Sequence, residues 1–444
     1  MLDGLSSELD AYANGRGGAG GGGGNTPAVL NTATTNQNGI QISLSISGTN
    51  VDTPPMPGET FTHVDDTTIA NGYVVRDSAN GNEFVWIPVA KDQVISLNVE
   101  TEEDITSIKL YNVYGAEVLN IAGSSLEDKK NYSGEVETYG NSNCINGTYK
   151  AVVTTANKEE NASLFVTSLY AKLGLKDYYM SEDFAIAKGY QDMDAFLEDW
   201  GYETVEEMYE EEYEWEEDFV DPTETDTDKS IIVTKYGKSV NDNGGFYIGR
   251  YEAGIGIGNT RTSGSSTNDS TTYETIKTAS GVPVSKKDVY TYNYVTQPQA
   301  KYLAESMYSG KSSLLTGAAW DRVLGFITEA GTGSKTLSQV AGNSNTWGNY
   351  SDSTGDAAVV VNSENQFGVL QTTGYSTYWQ AKNIFDLAGN TYEWTLQNSD
   401  NTQSAGLLGR GGIYFDSGVS AHTHIYGDSG VCYVHLSFRP ALYL

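Results

Sequence analysis

The chain predicts an α+β fold, and three observations carry that expectation. Between Val94 and Tyr170, short stretches alternate apolar and polar residues (VISLNVE, SIKLYNV, SGEVETY, GTYKAVVTT, NASLFVTSLY), with Gly, Asn and Ser between them, as half-buried strands do. Elsewhere the period is that of a helix. Met193, Phe196, Leu197 and Trp200 share one face, as do Val205, Met208 and Tyr209, and again Ala300, Leu303, Ala304 and Met307. Third, 49 Gly and 31 Tyr in 444 residues, with abundant Ser, Thr and Asn, suit β-structure with long loops and surfaces that recognise other molecules.

The length gives room for two to four domains, each able to bury a core. A net charge of −32 repels phosphate backbones and anionic headgroups, which argues against nucleic acid and anionic membrane as partners. Two cysteines make no disulfide framework and leave the redox compartment open. Met1 leads into LDGLSSELDAY, which has neither a basic region nor an apolar run. No signal peptide, membrane span or direct membrane insertion is therefore expected there.

In chain order, Leu2, Leu5, Leu9 and Tyr12 share one face of a short helix, whose simpler reading is a fraying amphipathic end and whose minor one is a contact with a partner or a symmetry mate. Gly15–Gly24 reads as a flexible tether. From Ile40, IQISLSIS alternates as a strand, and Pro54, Pro55 and Pro57 then break the pattern. Residues 1–60 are thus read as helix, tether and leading strand. EFVWIPV (Glu83–Val89) is the first strand of a main domain that starts at 61–90 and resumes near Gly244 with GGFYIGRYEAG. The stretch between is too long for a loop and must fold by itself.

Its first part, 91–172, reads as an inserted immunoglobulin-like β-sandwich. Its second part, 173–230, reads as a small acidic helical segment. There the run EEMYEEEYEWEEDF (Glu206–Phe219) lacks the alternating-oxygen spacing of a calcium loop, so a solvated helix face is the simpler reading. Residues 231–444 form the main part of the larger domain. Arg250–Asn268 reads as loop, and Gln297-Pro298 opens a helix. Thr316 caps the next, with Trp320, Val323, Leu324 and Ile327 as its apolar face. Gly331–Asp356 is polar and is expected on the surface.

The C-terminal part is the most distinctive. NIFDLAGNTYEWT (Asn383–Thr395) is followed by GRGG (Gly409–Gly412) and by a closing LSFRPALYL. Between them lie three of the four histidines and one of the two cysteines. Every residue from Ile413 to His435 can be encoded by a codon ending in a pyrimidine with its first two bases free, the repertoire that adenine mutation of asparagine codons would generate.

These residues resemble two known signatures. NIFDLAGNTYEWT, GRGG and SFRPALYL are similar to the C-type lectin fold of the formylglycine-generating-enzyme, or sulfatase-modifying-factor, type. The stretch 411–438 resembles the variable region of target proteins of diversity-generating retroelements. GNEFVWIPV, GGFYIGRYEAG, QPQAKYLAESMY (Gln297–Tyr308) and SLLTGAAWDRVLGFI (Ser313–Ile327) extend the resemblance in order over roughly half the chain. It implies a lectin-like fold in which EFVWIPV pairs with the closing strand. It also implies a rigid frame that presents diversified contact residues. On that reading the ligand-binding residues are Ile413, Tyr414, Phe415, Asp416, Val419, Ala421, His422, Thr423, His424, Tyr426, Asp428, Val431, Cys432, Tyr433 and His435. Tyr and His combine large contact area with a polar tip, as in a paratope.

Other chemistries fit less well. The resemblance first raises an oxidase of the formylglycine-generating type, whose cysteine pair holds copper. Aligned on SFR, those positions fall near Asp416 and Ala421, while Cys432 is alone and Cys144 lies in the insert. His422, His424 and His435 could be weighed as a zinc site, but only Asp416 and Asp428 are near in sequence, and as contact residues they need no metal. The Glu-Pro-Asn and Trp-Asn-Asp signatures of calcium-dependent sugar binding are absent. Asn383, Asp386, Asn390 and Glu393 form the turn before Trp394, with Glu393 expected to accept buried backbone donors. Some relatives hold calcium near this turn, so a structural calcium ion is the one cofactor the resemblance allows. Trp394, Phe438 and Arg439 read as frame, with Arg439 paired inside the fold. No nucleotide fingerprint and no catalytic residues are identified.

The expectation is a ligand-binding display protein: a phage receptor-binding or tail protein, or a bacterial surface adhesin. It would sit on a virion or cell surface and take a protein or glycan ligand on a cell surface. The N-terminus would serve for virion attachment or homo-oligomer contact.

Overall fold

The computed structural model describes residues 25–112, 115–138, 141, 143–144, 147–166, 175–212, 235–359, 368–398 and 406–444. The expected N-terminal helix and tether, and the acidic run beyond Glu212, lie outside them. The architecture is α+β, mostly β-sheet with few helices. It divides into two compact units: Met1–Pro55 with Pro88–Lys172 and Glu224–Gly245, and Met56–Ile87 with Leu173–Thr223 and Phe246–Leu444.

In the first unit, Asn38 and Gly39 both take positive φ (54° and 74°) and form a two-residue hairpin turn between Asn25–Gln37 and Ile40–Val51. The hairpin continues through Lys91–Thr101 to Asn131–Glu137, every pair antiparallel. A second antiparallel sheet runs Glu159–Val166, Gly147–Thr155, Ile105–Tyr111, Glu117–Ala122. Ile40, Ile42, Leu44 and Ile46 are buried with Ile95, Leu97 and Val99 from the first sheet and with Ile108, Leu110, Tyr149, Ala151 and Val153 from the second. The strand at Ile40, read from sequence as a leader before the sandwich, is a member of it. Its apolar face needs a second layer, and the sheet of Ile105–Tyr111, Glu117–Ala122, Gly147–Thr155 and Glu159–Val166 provides one. Helix Lys235–Asn243 adds Tyr236 and Val240 to the buried set of this unit.

In the second unit a six-stranded sheet runs Ser312–Leu314, Pro440–Leu442, Gly245–Gly249, Glu83–Pro88, Val74–Asp77, Phe61–His63. One expectation needs correcting here. Glu83–Pro88 does not pair with the closing strand, because Gly245–Gly249 lies between them and takes Pro440–Leu442 as its own antiparallel partner. Both central strands are buried on both faces, which explains their unbroken apolar runs. Trp86 meets Tyr247 edge-on at 4.9 Å. A second sheet runs His424–Gly427, Leu407–Arg410, Tyr392–Asn398, Leu436–Phe438, with the last pair parallel. Trp394 and Phe438 pack there with Tyr292, Leu303, Leu314 and Leu436, and the Trp394 indole donates to Val295 O at 2.9 Å.

Helix ends follow their capping chemistry. Thr296 and Gln299 make a reciprocal capping box at Gln297–Glu305, and Thr316 accepts the Ala319 N–H at 3.0 Å at the start of Gly317–Thr328. In the acidic segment, Asp192 accepts the Ala195 N–H at 2.8 Å and Gly201, at φ 85°, ends Met193–Trp200. Met193, Phe196 and Leu197 join Tyr178, Tyr179, Phe184, Met208 and Tyr209 in a small core that also takes in Ala341.

The stretch Gly331–Asp356 departs from its expected surface position. Val340, Ala341, Trp347 and Tyr350 are buried in it, as are Ser344 and Asn349. Its polar groups are tolerated inside because they are partnered: the Trp347 indole and the Ser344 hydroxyl both donate to Gln339 O, at 2.9 and 2.6 Å.

Candidate functional site

After Arg410 the chain turns through Gly411 and Gly412, at φ 97° and 77°. A Cβ on Gly412 would lie 2.8 Å from the Tyr350 ring, and one on Gly411 would lie 3.0 Å from Leu387 O. The Tyr350 hydroxyl donates to Gly411 O at 2.7 Å, and the Gly411 N–H donates to Thr423 O at 3.0 Å. Both positions require glycine, by conformation and by space.

From there to His435 the frame holds the segment largely by its main chain. The Tyr414 N–H donates to Asn390 O at 3.2 Å, and the Ser351 N–H and hydroxyl both donate to Asp416 O, at 3.0 and 2.8 Å. The Gly418 N–H donates to the Asp352 carboxylate at 3.0 Å, and the Ser344 N–H donates to Val419 O at 2.9 Å. The Trp320 indole donates to Ala421 O at 3.2 Å, the Ala421 N–H to the Ser344 hydroxyl at 2.8 Å, and the His422 N–H to Val340 O at 3.1 Å. Further along, the Asn268 amide donates to Ser429 O at 2.5 Å, the Tyr294 N–H to Tyr433 O at 3.1 Å, and the Asn293 amide to Val434 O at 2.9 Å. None of these bonds uses a side chain of the segment, so changing those side chains leaves them in place. Ser344, Ser351 and Asp352 come from the stretch that sequence reading put at the surface. The only signal there was its Trp and Tyr among small polar residues.

The residues expected to contact a ligand divide into three groups by burial. Phe415 and Tyr433 are 50% and 56% exposed, and Asp428 is exposed as well. Tyr414, Asp416, Val419, Thr423, His424, Tyr426, Val431, Cys432 and His435 are half-buried. Tyr414, Phe415, His435 and Tyr433 form one continuous aromatic patch, with successive ring centroids 5.0, 5.5 and 5.4 Å apart. Three assignments are corrected. Ile413 packs in the core with Trp394 and Phe438. Ala421 is fully buried. His422 is buried against Tyr179, with Nδ1 3.1 Å from the hydroxyl. These three are frame, because a segment held down on a bed has to bury some side chains of its own.

Charges beneath and beside the segment are settled by burial. Burial pushes His422 well below the ordinary histidine range and His424 down to about 3, with Arg410 adding repulsion at both. Arg410 is paired with Asp321 at 2.6 Å and donates to Gln397 at 3.0 Å. His435 is lowered by burial against the pull of Asp416. Asp416 is raised by burial, although it accepts from the Tyr392 hydroxyl at 3.1 Å and the Ile413 N–H at 3.2 Å. The Cys432 thiol is raised by burial against the pull of Arg261, the opposite of an activated nucleophile. Cys144 is free and buried in the other unit, its thiol pushed up to about 12.

The turn before Trp394 is locked by internal partners. The Asn383 amide donates to Asn71 O and Gly72 O, both at 2.9 Å, and Asp386 accepts the Gly374 N–H at 2.5 Å. The Asn390 amide donates to Glu252 at 2.8 Å. Glu393, expected to accept backbone donors, instead binds Arg439 through Nε at 2.9 Å and Nη2 at 2.5 Å. Arg439 also donates to Gly249 O and Phe385 O, at 2.9 and 2.8 Å. Burial raises Glu252, Asp386 and Glu393 together. Arg439 opposes that rise, by direct contact at Glu393 and by its charge at Glu252 and Asp386. Glu252 was not singled out from sequence, since one Glu in GRYEAG carries no signal of burial. Among the described residues no three His, Cys, Asp or Glu side chains form a group that could hold a metal ion. The histidines go to separate partners: His422 to Tyr179, His424 edge-on to Tyr426 at 5.5 Å, and His435 to Tyr433.

No family model and no curated protein matches the chain. Among solved structures it is similar to the crystal structure of CarF, at 14% identity and a TM-score of 0.28, over 45% of this chain and 87% of that one. It is also similar to Treponema denticola variable protein 1, at 15% identity and a TM-score of 0.26, over 45% of this chain and 85% of that one. Similarity at this level assigns neither a family nor an activity.

Proposed function

We propose that this chain is a ligand-binding display protein with a lectin-like frame, whose segment between Ile413 and His435 carries interchangeable contact residues, as in targets of diversity-generating retroelements. The observation that carries the reading is the main-chain grip on that segment, from Tyr414 N–H on Asn390 O to the Asn293 amide on Val434 O. A frame that holds a segment by its backbone tolerates many side chains on it. The pyrimidine-ending codon repertoire of the same residues agrees with this.

The proposed contact set is Tyr414, Phe415, Asp416, Val419, Thr423, His424, Tyr426, Asp428, Val431, Cys432, Tyr433 and His435. The ligand would be a protein or glycan on a cell surface, met by a phage tail or receptor-binding protein or by a bacterial adhesin. We propose no catalytic role and no cofactor: Asp416 and Ala421 stand where the oxidase-type resemblance would need cysteines, and burial raises the Cys432 thiol above its ordinary range. The β-sandwich would be a spacer or a second binding module.

The DNA beside the coding region tests the reading. A near-copy of the segment's coding sequence, differing only where the copy carries adenine and lying beside a reverse-transcriptase gene, is the expected finding. Differences scattered over other bases would overturn diversification.

A further inference from the structure

We infer that the partner of this surface is a basic protein face, which presents Lys or Arg side chains to the patch formed by Tyr414, Phe415, His435 and Tyr433. The inference rests on the ligand-display reading above and names the chemistry of its ligand. Tyr414 and Phe415 stand at 89° to each other and Phe415 and His435 at 86°, while His435 and Tyr433 stack at 29°. Rings turned against one another make a poor flat platform for a sugar ring. They offer several π faces and edges to projecting cations instead.

The patch has acceptors around it. Asp416 lies beside His435, Asp428 is exposed further along, and Tyr414 and Tyr433 carry hydroxyls. No Lys or Arg occurs from Gly411 to Phe438. The arginines at either end of that stretch are buried and engaged, Arg410 with Asp321 and Arg439 with Glu393. Arg261, near Cys432, donates to Asn293 O at 2.8 Å and Tyr294 O at 3.1 Å, and Lys188 donates to Gly418 O at 3.3 Å. The chain as a whole carries −32, which attracts cationic faces and repels acidic polymers. Exposed Phe415 and Tyr433 rings with half-buried Tyr414 and His435 beside them, an exposed Asp428 and a strongly negative chain are complementary to Lys and Arg.

The test uses the full chain at physiological salt, with poly-L-lysine, poly-L-glutamate of matched length and neutral dextran as probes. Wild type is compared with a Tyr414→Ser, Phe415→Ser, Tyr433→Ser protein of the same net charge, with thermal melts confirming that both are folded. The expected result is poly-L-lysine binding that falls about ten-fold or more in the variant. Equal poly-L-lysine binding by both proteins would reduce the interaction to net charge and overturn the inference. Aromatic-dependent binding of dextran or poly-L-glutamate instead would overturn the basic partner while leaving the display reading standing. If no probe depends on the three rings, the inference fails, and the display reading then stands or falls with the DNA comparison.

Discussion

Tyr179 and His422 share a hydrogen bond of 3.1 Å between a short helix of the acidic segment and the segment that follows the Gly411-Gly412 turn. Burial favours the neutral His422 ring, whose Nδ1 and the Tyr179 hydroxyl form a donor–acceptor pair in either tautomer. The Lys188 contact with Gly418 O, at 3.3 Å, comes from the same acidic segment. Replacing Tyr179 by Phe and His422 by Gln, singly and together, should give a coupling of about 0.5–1.5 kcal/mol in denaturant unfolding. Strictly additive losses would mean that the bond holds nothing in place.

Exposed aromatic residues and their buried neighbours should respond in opposite ways. Phe415 and Tyr433 changed to Ser should each move stability by only about ±0.5 kcal/mol. Ile413→Ala, a few residues away, should cost about 2–5 kcal/mol, and Trp394→Ala or Phe438→Ala about 3–5 kcal/mol. Thermal melts rank the set. A ranking with the surface changes on top would show that patch and core have been exchanged.

Glycines along the same segment should differ by their surroundings. Gly412→Ala meets Tyr350 at 2.8 Å and adopts a φ of 77°, so it should cost about 1–3 kcal/mol. Gly418 also has positive φ, 68°, yet a Cβ there meets nothing within 4 Å. Gly418→Ala should therefore cost about 1 kcal/mol from conformation alone. Unfolding curves of the two variants side by side check the order.

Buried His422 and half-buried His424 should make the fold acid-sensitive. Their folded pKa values lie below the unfolded value of about 6.5, so the unfolded chain binds more protons below that pH. Their contribution is present above about 6.5 and is lost as pH falls towards about 3, the value for His424. A His422→Gln, His424→Gln protein should show a flatter decline in stability on acidification. An unchanged slope would count against burial of neutral rings.

The carboxylate cluster should act in the opposite sense. Asp386 and Glu393 are pushed up to about 7, and Glu252 is raised as well, so the folded state holds more protons than the unfolded chain from about pH 4 upward. That contribution is full below about 4 and is lost as pH rises to about 7. Glu252→Gln removes one titrating group and should make the fall across this window shallower, read from denaturant midpoints at successive pH values.

Local rules in the sequence already determined a good deal. The alternation of IQISLSIS and VISLNVE set which side chains face inwards, and Thr316 and Thr296 set where two helices begin, because strand period and capping depend on neighbours a few residues apart. The GRGG turn and the unusual residues after it were legible for the same reason. Tertiary structure alone decided three matters that depend on distant residues. It placed the Ile40 strand inside the sandwich through pairing with Lys91–Thr101, a choice that alternation cannot make. It drew Ser344, Trp347 and Tyr350 under the segment, where hydrogen bonds to Val419, Gln339 and Gly411 make a polar stretch fit to be buried. It also divided one run of codon-alike residues into frame and surface. Ile413, Ala421 and His422 point onto the bed while Phe415 and Tyr433 do not, because burial is a property of what lies opposite a side chain in space and not of the side chain itself.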